Sequence, residues 1–242
     1  MNEGRPEAPQ GLRVRARAIS GLGALESLGV RAAVQAVLLG PERFDALRRI
    51  DYVEPLLLRR SIETEEVPAL ERVFARCSDI YAHLPTLYRL TVDGKRKRTL
   101  ELGTRDGDST IALLLAAREI GGTLTSVDLE PCPIATARVD GAGLRDLWTF
   151  VQQDDLGLDW DRPIDHLFVD TSHRYSHTID ELRKYEPFVV SGGVISLHDT
   201  TTFPAVWHAI EEYFRGRRDV RIFRYFHNNG LTLVEKGVCA RA

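Results

Sequence analysis

The sequence predicts a doubly wound α/β fold, in which helices cover both faces of a mostly parallel seven-stranded sheet. From residue 97 onward, short apolar strand patterns alternate with amphipathic helical patterns, and this alternation is typical of right-handed βαβ units. Near the C-terminus, Asn228-Asn229-Gly230 separates two strand patterns and predicts a hairpin loop. The hairpin requires one antiparallel strand at or near the edge of the sheet.

The elements of this domain are predicted in chain order from apolar periodicity. Strands are expected where short apolar runs end at turn residues, namely 97–102, 123–129, 148–153, 166–170, 194–198, 220–226 and 231–235. Helices are expected between them at 109–120, within 134–144, at 178–185 and at 205–216. Asp108 or Ser109 is expected to cap the helix 109–120 through its side chain.

Residues 1–77 predict a helical N-terminal extension, distinct from the domain at 78–242. Apolar residues recur with a helical period after residue 22; Gly40 is expected to end the first helix and Pro41 to start the second. The extension is expected to serve as a lid over the acceptor or as an arm that joins copies into a homo-oligomer. The sequence does not decide between these two roles.

Composition excludes several classes of protein. With 43% hydrophobic and 28% charged residues among 242, the chain is an ordinary globular protein, long enough for one α/β domain and a smaller unit. A net charge of −3 predicts neither a nucleic-acid nor a membrane partner, and the basic run 95–98 lacks interleaved aromatic residues. Three widely spaced cysteines indicate reduced thiols, so a cytoplasmic location is expected.

The segment Glu101-Leu-Gly-Thr-Arg-Asp-Gly107 joins the first strand of the domain to its first helix. Gly103 permits a sharp turn, and Gly107 lets a ligand approach the backbone where the helix starts. Asp128 follows Gly107 by 21 residues, close to the offset of about 20 at which an acid meets ribose hydroxyls. Residue 105 is Arg where a dinucleotide motif has Gly, and Glu101 would suit a sulfonium better than an anionic pyrophosphate.

Acidic and imidazole side chains follow the fourth and fifth predicted strands. Asp170 and His173 come after the fourth strand, and His198 and Asp199 end the fifth. Adjacent parallel strands open onto one crevice at their carboxyl ends, so these groups are expected near the glycine turn. The carboxylates, with the histidines nearby, could hold a hard divalent ion, or Asp170 could orient His173 as a general base. Either arrangement would activate a hydroxyl group as a nucleophile.

These motifs together resemble the class I S-adenosylmethionine-dependent methyltransferases, which have a Rossmann-like fold, over about residues 78–236. The glycine segment is similar to their first motif, Ser126-Val-Asp128-Leu129 to their second, and 150–155 to the motif whose acid contacts the adenine amine. Of the two acids there, Asp154 matches better than Asp155. The resemblance implies that S-adenosyl-L-methionine is the cofactor. It implies a cofactor-binding set of Glu101, Gly103, Thr104, Gly107, Ser109, Asp128, Leu129, Asp154, Asp155 and Asp170.

Within that class, Asp170-Thr-Ser-His173-Arg-Tyr175 and the segment 191–200 are similar to the macrocin-type sugar O-methyltransferases and the cephalosporin-hydroxylase-like proteins. This resemblance implies O-methylation of a small-molecule acceptor, a sugar or another natural product. It implies His173 and Asp170 as catalytic residues. It also implies magnesium bound by Asp170 and Asp199, with His198 as a further ligand where some members have an acid.

Three further interpretations stay open on the sequence. The segment 78–85 could close over the methionine end of the cofactor, although Asp79 or His83 could equally cap a helix end. Phe203 and Trp207 could line the acceptor pocket or belong to the core. An NAD-dependent oxidoreductase, disfavoured by the missing third glycine, and a non-catalytic subunit that keeps the cofactor fold are the alternative functions.

Overall fold

A computed structural model describes residues 78–237; the predicted N-terminal extension and residues 238–242 lie outside the described residues. Seven strands form one sheet: β1 (Arg98–Leu102), β2 (Thr123–Asp128), β3 (Trp148–Gln152), β4 (Ile164–Val169), β5 (Val189–His198), β6 (Val220–Tyr225) and β7 (Leu231–Lys236). Their order is β3-β2-β1-β4-β5-β7-β6. Strands β1 to β5 are parallel, and β7 lies antiparallel between β5 and β6. The predicted fold class is confirmed.

Among residues 78–237, five α-helices cover the sheet: α1 (Leu84–Asp93), α2 (Asp108–Ile120), α3 (Pro133–Gly141), α4 (Tyr175–Tyr185) and α5 (Pro204–Tyr213). Two apolar cores result, because one contains residues of α1, α2 and α3 and the other contains residues of α4 and α5. Successive side chains of β1 point to opposite faces of the sheet. Leu100 and Leu102 belong to the core that contains residues of α4 and α5, whereas Glu101 faces α2. Within residues 78–237, no helix has the length and hydropathy that crossing a bilayer requires.

The strand order reverses beside β1, which lies between β2 and β4. In open α/β sheets, the crevice outside the carboxyl ends of the strands at such a reversal is where ligands bind. The backbone fixes this crevice, because Gly103 N–H donates to the Val127 carbonyl (2.9 Å) and Asp170 N–H donates to the Leu102 carbonyl (2.8 Å). The predicted glycine turn and the predicted acid after β4 therefore start side by side.

Helix α2 corrects one local prediction. Gly107 occupies the N-cap position with φ 80°, and no side chain caps the helix. The carboxylate of Asp108 forms an ion pair with Arg138 (2.7 Å), and the hydroxyl of Ser109 donates to Glu101 (2.6 Å). Both side chains are committed to tertiary contacts, so neither is available for the cap that the sequence predicts.

Candidate active site

A cavity of about 400 Å³ opens at the carboxyl ends of β1, β4 and β5. Its volume is within the usual range for small-molecule sites. The walls come from the glycine turn, the loops after β4 and β5, the segment before α1 and the β6–β7 loop. Seven of the predicted site residues line it, namely Gly103, Thr104, Gly107, Ser109, Asp170, His173 and Asp199.

The glycine turn has a shape that only glycine allows at two positions. Gly103 has φ +88°, and a Cβ atom there would lie 2.0 Å from the carbonyl oxygen of Asp170. Gly107 has φ +80°, and a Cβ atom there would lie 2.7 Å from the Cβ of Ala135. The turn therefore lies directly against the backbone of the β4 loop, and its main chain forms one wall of the cavity.

Asp128 holds the glycine turn from the end of β2. The N–H groups of Thr104 and Arg105 donate to its Oδ2 at 2.7 and 3.0 Å, and that of Glu130 donates to Oδ1 at 2.9 Å. Burial alone would raise the pKa of Asp128, but these three hydrogen bonds outweigh burial and lower it. Next to this carboxylate, Leu129 is 68% exposed and offers an apolar surface beside the turn.

Glu101 lies beneath the turn and is fully buried. Its carboxylate accepts hydrogen bonds from the hydroxyls of Ser109 (2.6 Å), Thr110 (2.8 Å) and Ser126 (2.5 Å). Burial raises its pKa to about 7, against the opposing effect of these hydroxyls. Glu101 is not part of the cavity wall, so its contact with that wall runs through Ser109.

The raised pKa of Glu101 predicts a pH-dependent stability. In the folded chain, Glu101 keeps its proton up to about pH 7. In the unfolded chain, Glu101 loses this proton near its ordinary pKa of 4.5. The free energy of unfolding should therefore fall as pH rises through this window, by at most roughly 3 kcal/mol. Glu101→Gln should lose this part of the pH dependence, as measured by chemical denaturation across the window. Glu130→Gln, at an exposed position, should keep it, and identical pH dependence in both variants would contradict the prediction.

The acid–histidine contacts of the cavity differ from the one pairing that the sequence suggested, that of Asp170 with His173. Nε2 of His173 lies 2.6 Å from Oδ2 of Asp199, whereas Asp170 Oδ1 lies 3.3 Å from Nδ1 of His198. The suggestion that Asp170 orients His173 is therefore wrong, because Asp199 contacts that ring. The ring of His173 also stacks on Phe203, with centroids 3.8 Å apart and planes 9° from parallel.

His198 lies behind the two carboxylates and is 2% exposed. Its Nε2 is 3.2 Å from the Asn228 carbonyl, and its Nδ1 is 3.3 Å from Asp170 and 3.6 Å from Asp199. Burial would lower the pKa of His198, but the charges of Asp170 and Asp199 outweigh burial and raise it to about 9. The protonated imidazole thus offsets part of the negative charge that these two acids bring together.

The acids have the oxygen donors that a hard divalent ion prefers. Asp170, His173 and Asp199 offer ligand atoms within 4.8 Å of one another. Oδ1 of Asp199 is buried and has no hydrogen-bond partner among residues 78–237. Two ligands of one magnesium ion are about 3 Å apart, so the 2.6 Å contact between His173 and Asp199 is a hydrogen bond. The two aspartates fit magnesium, and the ligand role of His198 stays a prediction.

The two acids after β3 point in different directions. Asp154 is exposed, and one of its oxygens accepts the N–H of Leu156 at 3.0 Å. Asp155 is buried and turns towards α4, where its Oδ2 lies 3.2 Å from Nε2 of His177. Of the two, Asp154 is thus the one whose side chain is open to a ligand.

Sequence reasoning missed an ion pair at the wall of the cavity. Arg105 makes two hydrogen bonds to Asp79, at 2.8 and 2.7 Å, and both residues line the cavity. Asp79 therefore does not cap a helix. His83 occupies the N-cap position of α1, but its side chain makes no capping hydrogen bond: it is buried, and its Nε2 lies 2.9 Å from the carbonyl of His227. No signal in the sequence pairs residues 79 and 105, because the contact joins two loops.

The β6–β7 hairpin loop also reaches the cavity. The Asn229 carbonyl accepts the N–H groups of Thr201 and Thr202, at 2.8 and 3.0 Å, and Asn229 lines the cavity with Thr202 and Phe203. Asn228-Asn229-Gly230 predicted the loop but not its position at the cavity. Trp207, the other aromatic suggested for the acceptor pocket, is not part of this cavity wall and packs against Arg224, whose guanidinium is 4.1 Å from the ring centroid.

Comparison with known proteins gives matches to methyltransferases. A family profile described as a methyltransferase domain matches residues 100–200. The SAH-bound methyltransferase PaMTH1 of Podospora anserina superposes with a TM-score of 0.57 at 15% identity, covering 77% of this chain and 97% of that one. A methyltransferase from Geobacter sulfurreducens gives 0.53 at 15% identity, covering 81% and 97%. A search of curated proteins gave no significant match.

A third structural match is TomG of Streptomyces achromogenes, an O-methyltransferase involved in tomaymycin synthesis and solved in complex with SAM. It is 21% identical, with a TM-score of 0.55, and the match covers 74% of this chain and 94% of TomG. At such identities the structural matches show the fold alone, and the profile shows that residues 100–200 are similar to a methyltransferase domain. The described residues therefore have the Rossmann-like methyltransferase fold.

Proposed function

We propose that the protein transfers a methyl group from S-adenosylmethionine to a hydroxyl group of a small molecule, such as a sugar or another natural product. One observation carries the proposal: the hydrogen-bonded pair His173–Asp199 and the carboxylate of Asp170 line the same cavity as the glycine turn. The fold shared with TomG, an O-methyltransferase, supports oxygen as the acceptor atom.

The residues around the glycine turn suit the cofactor. S-adenosylmethionine supplies an electrophilic methyl group on a positively charged sulfur. The close approach at Gly103 and Gly107 leaves main-chain atoms to contact it, and Asp128 lies where its carboxylate would meet ribose hydroxyls. The exposed side chains of Leu129 and Asp154 would contact the adenine ring and its amine.

His173 would act as the general base. With a proton on Nε2 donated to Asp199, the lone pair on Nδ1 remains to take the hydroxyl proton as the new bond to carbon forms. Stacking on Phe203 restricts rotation of the ring, so the base keeps its direction. The neutral hydroxyl is a poor nucleophile, and this proton transfer would remove that limitation.

Asp170 and Asp199 would hold a magnesium ion, with the charge of His198 behind them. Such an ion, when bound, lowers the pKa of a coordinated hydroxyl. The backbone fixes the positions of the two acids. The N–H of Asp170 donates to the carbonyl of Leu102, and Asp199 has a left-handed backbone conformation, with φ 61°, directly after β5.

Calorimetry with cofactors tests the proposal against an oxidoreductase on the same fold. We expect S-adenosylmethionine and S-adenosylhomocysteine to bind and NADH not to bind. Asp128→Asn should weaken S-adenosylhomocysteine binding at least about tenfold, since hydrogen bonds to a charged acceptor contribute about 1.5–3 kcal/mol. Asp159→Asn, at an exposed position, is the control. Binding of NADH without either sulfur compound would overturn the proposal.

A further inference from the structure

A second group of ionisable side chains lies outside the cavity, between the turn after β3 and helix α4. Asp155, His177 and Glu181 are here called the α4 cluster. His177 and Glu181 are four residues apart on α4 and therefore project from one face of the helix. Oδ2 of Asp155 lies 3.2 Å from Nε2 of His177, and Oε1 of Glu181 lies 3.5 Å from the same nitrogen.

The carboxylates of the α4 cluster are buried. The side chain of Glu181 is 0% exposed and that of Asp155 is 8% exposed. Oε1 of Glu181 accepts the hydroxyl of Thr171 at 2.5 Å. Oε2 is buried, and no donor among residues 78–237 reaches it, although the carboxyl groups of Glu181 and Asp155 are in contact. Two buried carboxyl groups in contact without a donor between them are costly, so this arrangement points to a cation in the cluster.

The surrounding contacts hold Asp155 in place without neutralising the acids. Lys184 donates through Nζ to the backbone carbonyls of Asp155 (3.0 Å) and Leu156 (2.7 Å), and the Tyr185 hydroxyl donates to the Asp155 carbonyl. The N–H of Leu156 donates to Oδ1 of Asp155 at 2.7 Å, which leaves Oδ2 facing His177. The turn is thus fixed with one carboxylate oxygen directed into the cluster.

We propose that Asp155, His177 and Glu181 bind a divalent transition-metal ion, best matched by zinc, at a site separate from Asp170 and Asp199. Tetrahedral zinc with bonds of 2.0–2.1 Å places its ligand atoms about 3.3 Å apart, and the two distances to His177 are 3.2 and 3.5 Å. One imidazole with two carboxylates suits zinc better than magnesium, which prefers oxygen alone. Three protein ligands leave a fourth position for water.

The site is accessible and connected to the cavity. The side chain of His177 is 25% exposed, so an ion can enter from solvent past the imidazole. Thr171 donates to Glu181 and also lines the cavity, and Asp155 is next to Asp154. A bound ion would stabilise both the β4 loop and the turn after β3.

Metal binding to the chelator-treated full chain tests the proposal without any methyl-transfer assay. The double variant Asp170→Asn/Asp199→Asn removes the acids of the cavity and should still bind one zinc ion in calorimetric titration. It should also show the visible absorption of tetrahedral cobalt on titration with Co²⁺. Adding His177→Gln, at a partly exposed position, should lower the zinc affinity at least about tenfold and abolish the rise in thermal midpoint that zinc causes.

Asp180→Asn provides the control, since Asp180 is on the same helix but exposed and paired with Arg183. It should leave zinc binding unchanged. Glu181→Gln keeps an acceptor for Thr171 and should behave like His177→Gln if it folds. The proposal is overturned if the double variant binds no zinc, or if His177→Gln leaves its zinc affinity and thermal shift unchanged. The cluster would then be a proton-sharing structural network.

Discussion

His173→Gln is expected to lower the rate of methyl transfer by a factor of about 10² to 10⁴, the usual contribution of a general base. The reason is that the amide cannot take the hydroxyl proton, although it can still stack on Phe203 and donate to Asp199. The rate should be followed as S-adenosylhomocysteine release under saturating cofactor and acceptor. Cofactor affinity should stay within about twofold, because the proposed base would contact the acceptor and not the cofactor.

Two further variants sharpen this test. His208→Gln changes an exposed histidine on α5 and should leave the rate unchanged. Asp199→Asn should lose rate as well, and combining it with His173→Gln should cost much less than the product of the two losses, because the pair acts as one unit. If His173→Gln keeps the rate of the unmodified protein, His173 is not the base.

Gly103→Ala is expected to destabilise the fold by about 2–5 kcal/mol and to abolish cofactor binding. The added Cβ would lie 2.0 Å from the carbonyl oxygen of Asp170, and φ +88° is a conformation that L side chains rarely adopt. Relief of the contact would push the glycine turn away from the β4 loop and deform the cavity between them. Chemical denaturation and S-adenosylhomocysteine titration measure the two effects.

Gly141→Ala is the matched control. A Cβ at Gly141, the last residue of α3, meets nothing within 4 Å, and its φ is not in the left-handed region. This variant should be as stable as the unmodified protein or slightly more stable. A Gly103→Ala protein whose free energy of unfolding differs by less than about 0.5 kcal/mol would show that the turn can adapt.

Some features of the candidate active site could be predicted from the sequence, and others could not. The glycine turn could be predicted, because a positive φ at Gly103 is a local steric requirement that leaves its residue type in the sequence. The meeting of Asp170 and Asp199 could also be predicted, since each follows a strand of one parallel sheet. Which histidine contacts which acid could not be predicted. Each histidine lies near both acids, either along the chain or across the two neighbouring strands. Only the directions of the side chains bring His173 to Asp199 and His198 to Asp170.

Asp154 and Asp155 show the same limit at closer range. They are neighbours in sequence, yet one is exposed and the other is buried against α4, because a turn directs successive side chains to different sides. The wall formed by Asp79 with Arg105 depends on two loops that only the assembled fold brings together. Spacing carries no information about such contacts.

The sequence by itself determined the doubly wound sheet, the antiparallel hairpin and the edge at which the predicted site residues gather. These follow from the periods of strands and helices and from the backbone freedom of glycine, which are properties of short segments. Tertiary structure alone decided the pairing of acids with histidines, the place of the hairpin loop over the cavity and the burial of the α4 cluster. Those features depend on how distant segments pack, because burial and partner choice are set by the whole fold.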